Sequence, residues 1–279
     1  MRLGGQVYLE RMDPEAWAEA LRRERYRAAV FPVNHEADDG IVNAYAHEAA
    51  KRDIVLAEVG AWSNPISSDP AARRQAIATC IKQLELAERV GARCCVNIAG
   101  SRGEQWDGPH PDNFSDETFA LIVDTVREIV DAVKPKRTFY TLETMPWVFP
   151  DSADSYLALI RAIDRPGFAV HLDPVNMISS PRTYYRNGEM IRDFFAKLGP
   201  YIKNAHAKDI HLSGHLTVQL HEVVPGRGAL DYRTFLTELS KLDPDVSLII
   251  EHLSTNEEYR EAAAYIRGEA KGLRMDLGS

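Results

Sequence analysis

Eight short apolar segments, each followed by a polar loop and a helix-like stretch, constrain the fold of this chain more than any other feature. Strands that alternate with helices at this spacing pair in parallel through right-handed crossovers. An open nucleotide-binding sheet would carry a glycine-rich turn, and no GxGxxG pattern occurs in the sequence. Eight units therefore predict an α/β fold, a single (β/α)8 TIM barrel that occupies residues 1–279 as one domain. The predicted strands are 6–9, 28–33, 54–59, 94–98, 138–143, 168–173, 201–206 and 247–251.

Start and stop signals mark the intervening helices. Asp69 and Pro70 provide an N-cap followed by proline at the first helical position, and Gly91 ends that helix. The two longest departures from the alternation, 99–114 and 207–230, are expected at the carboxyl face, where the active-site loops of a barrel lie. Helices are predicted over 13–24, 41–52, 69–90, 115–134, 151–164, 187–198, 231–241 and 256–271.

Composition narrows the classes of function. The sequence has no long apolar run, which argues against a membrane span, and no apolar N-terminal stretch typical of a secretory signal. Its formal net charge of −8, with no evident basic patch, argues against a nucleic-acid partner. Cys80, Cys94 and Cys95 form neither a disulfide framework nor a spaced zinc–thiolate pair. We therefore expect reduced core cysteines in a cytoplasmic protein.

The last four strand segments end in Glu143, Asp173, His206 and Glu251. Because the carboxyl ends of neighbouring parallel strands meet on one rim of a barrel, we expect these side chains to converge. Three carboxylates and one imidazole would repel one another unless a divalent cation lay between them. Three oxygen ligands and one nitrogen suit Mn²⁺, with Mg²⁺ and Co²⁺ as alternatives. The sequence thus predicts a metal-dependent enzyme.

The segments around these residues resemble the xylose-isomerase-like sugar phosphate isomerase/epimerase superfamily. The matching segments are TLET, HLDPVN, NAHAKD, VVPGRGALDYRTFLTEL and LIIEH. Within the superfamily they are most similar to the ketose 3-epimerase, hydroxypyruvate isomerase and inosose dehydratase group. The resemblance implies that Glu143, Asp173, His206 and Glu251 bind one divalent metal. It also implies that Glu143 and Glu251 are the acid/base pair.

The activity that this resemblance implies is a metal-dependent sugar isomerase or epimerase of carbohydrate metabolism. Such an enzyme removes a proton next to a carbonyl of its small-molecule sugar substrate and returns it through an enediolate. Loss of a hydroxyl after proton removal would give a dehydratase or lyase on a keto-sugar or keto-inositol instead. Relatives of this kind commonly form homo-oligomers, so a dimer or tetramer is expected.

Seven further residues follow strand segments and are predicted to contact the substrate. Lys208 could instead pair with Asp209 or Glu222, and a tryptophan at position 147 could pack over the rim rather than stack on a sugar. Many relatives have a histidine where this chain has Asn176, and an amide cannot titrate near neutral pH. The predicted substrate-binding residues are Glu58, Trp62, His35, Asn97, Asn176, Lys208 and Trp147.

Two other classes of function remain open at this stage. Apurinic-site endonucleases share the barrel and part of the ligand set, but they need extra histidines on early strands, where this chain has Glu58 and Asn97. A non-catalytic sugar-binding barrel would not need a stoichiometric metal. The histidines of the 207–230 segment, His211, His215 and His221, match no ligand spacing for a second metal.

Overall fold

The computed structural model describes residues 1–277 and contains a closed barrel of eight parallel strands. This architecture confirms the predicted TIM barrel; residues 278 and 279 of the predicted domain lie outside the described residues. The barrel strands are β1 (Arg2–Gly4), β2 (Ala28–Val30), β3 (Val55–Gly60), β4 (Cys94–Asn97), β5 (Tyr140–Glu143), β6 (Phe168–Leu172), β7 (Ile202–Ala207) and β10 (Ser247–Ile250). Their order around the barrel is β1-β10-β7-β6-β5-β4-β3-β2.

Helices surround the barrel and begin and end near the predicted signals. The Asp69 side chain accepts a hydrogen bond from the Ala71 backbone, and Gly91 ends that helix in the left-handed conformation. One short helix, Pro181–Tyr185, was not predicted. The helices are α1 (Pro14–Arg23), α2 (Asp39–Lys51), α3 (Pro70–Val90), α4 (Asp116–Val133), α5 (Ala153–Ile163), α6 (Pro181–Tyr185), α7 (Asn187–Leu198), α8 (Tyr232–Leu239) and α9 (Asn256–Gly272).

The first strand lies earlier in the chain than predicted. The prediction placed it at 6–9, whereas β1 is Arg2–Gly4 and pairs with both β2 and β10. A Cβ atom at Gly4 would lie 2.3 Å from the Ala28 carbonyl oxygen, so this close strand approach requires glycine. Tyr8 of the predicted strand is instead 46% exposed. The apolar pattern was misleading here because glycine carries no hydrophobic signal.

The core lies between the barrel and the inner faces of the helices. Leu84 and Ala87 of α3 are fully buried, whereas Ile77 and Ile81 on the same helix are only partly buried. All three cysteines are free and buried, as expected for small core residues. Among residues 1–277, no helix combines the length and apolarity that a membrane span requires.

Segment 207–230 forms an antiparallel hairpin of β8 (Asp209–Leu212) and β9 (Leu220–Val223) beyond the barrel. Asp209 anchors the loop that follows this hairpin. One carboxylate oxygen accepts hydrogen bonds from the backbone of Ile210 and Leu230, and the other accepts from Gly226 and Gly228. The aspartate of HAKD and the glycines of PGRG therefore form one structural unit next to the site.

Candidate metal centre and active site

Four side chains from adjacent barrel strands converge at the carboxyl face. Glu143 ends β5, Asp173 follows β6, His206 lies in β7 and Glu251 follows β10. One ligand atom from each lies within 4.8 Å of all the others. His206 Nδ1 is 2.8 Å from Glu251 Oε1, 3.4 Å from Glu143 Oε1 and 4.0 Å from Asp173 Oδ2. The convergence expected from strand-end positions is therefore present in the fold.

Burial makes this cluster electrostatically unfavourable as a set of free carboxylates. Asp173 is fully buried, and burial together with the charges of Glu143 and Glu251 raises its pKa to about 7, although Lys208 opposes the shift. Burial also acts to raise the pKa of Glu251, but His206 and Lys208 outweigh it and lower that pKa. The cluster thus contains more negative charge than its neighbours neutralise.

The donor set fits a divalent cation. Asp173 Oδ2 and Glu251 Oε1 are buried and, within the described part of the chain, accept no hydrogen bond. Lys208 Nζ forms an ion pair with each of these oxygens over 2.9 Å. Three carboxylates and one imidazole nitrogen aimed at one point are ligands that Mn²⁺ or Mg²⁺ accepts. A cation there would share these two oxygens with Lys208 and add the positive charge that three buried carboxylates need.

A cavity of about 440 Å³ opens directly above the cluster, and Glu143 and Glu251 line it. Four of the predicted substrate-binding residues, Trp62, Trp147, Asn176 and Lys208, also line this cavity. Its size is within the usual range for small-molecule sites. The Asn176 side-chain amide donates a hydrogen bond to Glu143 Oε1 over 3.0 Å.

Three other predicted substrate contacts lie away from the cavity. Glu58 is only 2% exposed and lies inside the barrel below His206. Asn97 is fully buried and bonds to Ser63, Cys80 and its own neighbouring backbone. The His35 backbone and ring both contact the Gln83 side chain, next to a groove on the helical surface. The geometry does not support substrate contact by Glu58, Asn97 or His35.

Both long loops contribute cavity residues that the sequence reading missed. Trp106 comes from segment 99–114, and Trp147 Nε1 donates to the Asp107 carbonyl in that segment. Hairpin residue Glu222 lines the cavity and pairs with His252 Nδ1 at 3.1 Å. Trp106 could have been predicted as a cavity residue because it is a tryptophan within a long loop at the carboxyl face. Nothing in the local sequence distinguished Glu222.

The three hairpin histidines lie outside the cavity. His211 and His221 are opposite each other in the β8–β9 register, and both are exposed, as is His215 at the tip. Side chains alternate between the two faces of a strand, so Glu222 lies on the other face from His221. Within the described residues, the hairpin histidines belong to no group with metal-binding geometry.

Comparison with known proteins places the chain in a family. A model of the xylose isomerase-like TIM barrel matches residues 14–269. A D-tagatose 3-epimerase-like protein shares the fold with a TM-score of 0.74 and 16% identity, covering 98% of each chain. The 3-keto-D-glucoside 4-epimerase from E. coli gives a TM-score of 0.71 at 13% identity, covering 96% of this chain and 99% of its own.

A third solved structure is the probable 3-DHS dehydratase from Bacillus anthracis. Its TM-score is 0.70 at 16% identity, with 95% of this chain and 97% of its own covered. No curated protein matches this chain in sequence. Because the family model spans nearly the whole barrel, the chain belongs to the xylose isomerase-like TIM-barrel family.

Proposed function

We propose that this protein is a divalent-metal-dependent isomerase or epimerase of a sugar or keto-sugar. The observation that carries the proposal is the meeting of Glu143, Asp173, His206 and Glu251 at the floor of a cavity. Mn²⁺ is the proposed ion, with Mg²⁺ and Co²⁺ as alternatives of similar ligand preference. When bound, the cation supplies Lewis acidity that makes a C–H bond next to a carbonyl easier to deprotonate.

Glu143 and Glu251 are the proposed proton carriers. Both line the cavity, so both can reach a substrate bound above the cluster. One carboxylate removes a proton from carbon and leaves an enediolate, and the other returns a proton to the opposite face or to the neighbouring carbon. The amide of Asn176 orients Glu143, and it cannot itself exchange a proton near neutral pH.

The cavity lining supports an uncharged sugar as substrate. Trp62, Trp106 and Trp147 supply aromatic faces on which the apolar face of a sugar ring can stack. Lys208, a basic lining residue, lies within 4.0 Å of four carboxylates. His252 is paired with Glu222. With these basic groups already neutralised, the cavity is poorly suited to a phosphate.

A dehydratase acting on a keto-sugar is the second candidate. Lys208 Nζ lines the cavity, so its ammonium can hydrogen-bond a departing hydroxyl, which leaves as water with the proton that Glu143 or Glu251 has removed. The probable 3-DHS dehydratase among the structurally similar proteins, which shares this fold, supports the second candidate. Product analysis separates the two candidates, since a dehydratase product lacks one water.

The experiment is turnover of a panel of unphosphorylated ketoses and keto-glycosides with Mn²⁺ in deuterated water. We expect deuterium at the reacting carbon of the product and none with Glu143→Gln. Metal analysis of protein purified without chelators should find about one divalent ion per chain. If the product contains no deuterium, the proton is not carried by a carboxylate that exchanges its hydrogen with solvent, and the proposed proton transfer is wrong. A protein that binds no divalent ion would contradict the metal centre.

A further inference from the structure

The Glu58 carboxylate lies on the far side of His206 from the proposed metal centre. His206 Nδ1 faces the four-residue cluster, whereas His206 Nε2 is 3.3 Å and 3.4 Å from the two Glu58 oxygens. Both side chains are almost completely buried, His206 at 0% and Glu58 at 2% exposure. The imidazole therefore has one ring nitrogen at the cluster and the other at a buried carboxylate.

Two more buried side chains hold Glu58 in place. His171 Nε2 is 2.9 Å from Glu58 Oε2, and the Asn204 side-chain amide donates to the same oxygen. Both residues are fully buried and come from β6 and β7, across the barrel from β3. Glu58 is thus a buried hydrogen-bond acceptor with a fixed position.

We propose that Glu58 is a positioning residue of the metal centre: it keeps the proton of His206 on Nε2 and so presents the Nδ1 lone pair to the cation. An imidazole binds a metal only through an unprotonated nitrogen. The Asn204 amide donates to Glu58, so the carboxylate acts as an acceptor, and the His206 nitrogen that faces it carries the hydrogen. The negative charge also makes the other nitrogen a stronger ligand.

The contacts of Glu58 favour this role over a second metal site. Glu58, His171 and His206 have ligand atoms close enough together to hold an ion. However, Glu58 Oε2 is already 2.9 Å from His171 Nε2 and accepts from the Asn204 amide, so both of its lone pairs have hydrogen-bond partners. Hydrogen bonds therefore account for the short distances from Glu58 to His171 and His206 without an ion between them. The inference rests on the metal centre of the proposed function but not on the reaction.

The test is Mn²⁺ titration by calorimetry of wild type, Glu58→Gln and the control Glu48→Gln. The Asn204 amide and His171 favour the glutamine oxygen at the Oε2 position, so its amide N–H takes the Oε1 position near His206 Nε2 and disfavours a hydrogen there. We expect Mn²⁺ affinity to fall about 10–100-fold in Glu58→Gln. Glu48 pairs with Arg52 on outer helix α2, so Glu48→Gln should bind like wild type.

An unchanged Mn²⁺ affinity in a folded Glu58→Gln would overturn the inference and leave the proposed function standing. A second equivalent of Mn²⁺ that wild type binds and Glu58→Gln loses would also overturn it. A wild-type protein that binds no Mn²⁺ would remove the inference together with the proposed metal centre. The three results differ in the number of Mn²⁺ ions bound per chain and in the Mn²⁺ affinity, so the titration distinguishes them.

A second measurement on the wild type covers the case in which Glu58→Gln does not fold. In the Co²⁺-loaded protein, NMR should show a hyperfine-shifted imidazole N–H signal that disappears in deuterated water. That signal is expected because His206 would bind through Nδ1 and keep its hydrogen on Nε2. Loss of the signal in His206→Gln would assign it. If the Co²⁺-loaded wild type shows no such exchangeable signal, the proposed tautomer is wrong.

Discussion

The Asn176 side-chain amide donates to Glu143 Oε1 over 3.0 Å, and this contact joins the turn that follows β6 to the proposed base at the end of β5. Asn176 Nδ2 is also 3.7 Å from the Met145 sulfur, which lines the same cavity. The amide therefore fixes the same carboxylate oxygen that faces His206 in the cluster. Relatives with a histidine here would supply a ring N–H instead.

Replacing Asn176 by alanine should lower kcat about 10-fold or more, because a hydrogen bond to a charged group is worth about 1.5–3 kcal/mol. Thermal unfolding should change little, since Asn176 is only partly buried. Asn176→His is the matched variant and should retain more activity, because its ring N–H can replace the amide. Equal kcat values for wild type and Asn176→Ala would show that this contact does not orient Glu143.

Glu143→Gln should lower kcat by about 10²–10⁴-fold, the usual contribution of a positioned general acid or base. The shape of the side chain and the Asn176 contact can be kept, so the fold should be retained. Steady-state kinetics with saturating Mn²⁺ separates this loss from weaker metal binding. Turnover at the wild-type rate would mean that another group moves the proton.

Trp62→Ala should raise KM about 3–10-fold with little change in kcat, because an aromatic face contributes about 0.5–1.5 kcal/mol beyond its buried area. Trp62 is 46% exposed at the cavity mouth, so its removal should cost little stability. Tyr185→Ala is the control, since this exposed aromatic residue on α6 does not line the cavity. Identical KM values for Trp62→Ala and wild type would argue against stacking of the sugar on Trp62.

Asp209→Ala should lower the free energy of unfolding by about 2–4 kcal/mol, because several buried backbone N–H groups would lose their acceptor. Those donors belong to Ile210, Gly226, Gly228 and Leu230. Arg227→Ala lies in the same loop and removes only an exposed ion pair with Glu261, so it should cost less than about 1 kcal/mol. Urea unfolding of both variants tests the difference, and equal losses would contradict the anchoring role of Asp209.

Glu88 should make the stability depend on pH. Burial raises the pKa of Glu88, but the backbone N–H groups of Arg137, Lys136 and Thr138 outweigh it and lower the pKa below its usual value. A lowered folded pKa stabilises the protein above the unfolded pKa of about 4.3, and that stabilisation is lost as pH falls through the folded value. The stability gap between wild type and Glu88→Gln should therefore be largest near pH 7 and shrink below about pH 4.

Urea unfolding at several pH values between about 3.5 and 7 measures this gap. Its expected size near pH 7 is about 1–2 kcal/mol, since Glu88 is only partly buried and solvent weakens its bonds. A gap that stays constant over this pH range would show that the Glu88 charge does not matter for the loop before β5.

Much of the fold followed from the sequence because its signals are local. The caps at Asp69 and Gly91 depend only on nearby backbone groups, and the structure has both. The positions of Glu143 and Glu251 at strand ends followed from where the apolar segments stop. Strand β1 was misplaced because Gly4 is selected by its contact with Ala28, which is distant in sequence.

The rest of the site consists of residues from separate segments of the chain. No local sequence pattern predicts that these residues lie close together. Trp106 reaches the cavity because its loop is bonded to the loop of Trp147 through Asp107. Glu222 reaches it because the hairpin after β7 turns one strand face toward the rim. Such contacts depend on loop conformation, which hydrophobic periodicity does not encode.

The sequence by itself determined the eight βα units and the side chains that end the last strands, because hydrophobic alternation and helix caps are short-range properties. Only the tertiary structure decided that Glu58 lies beneath His206 instead of lining the cavity. Glu58 precedes the end of β3 by two residues, so its depth in the barrel depends on the register between strands. That register is set by pairing across the whole barrel, which no single segment specifies.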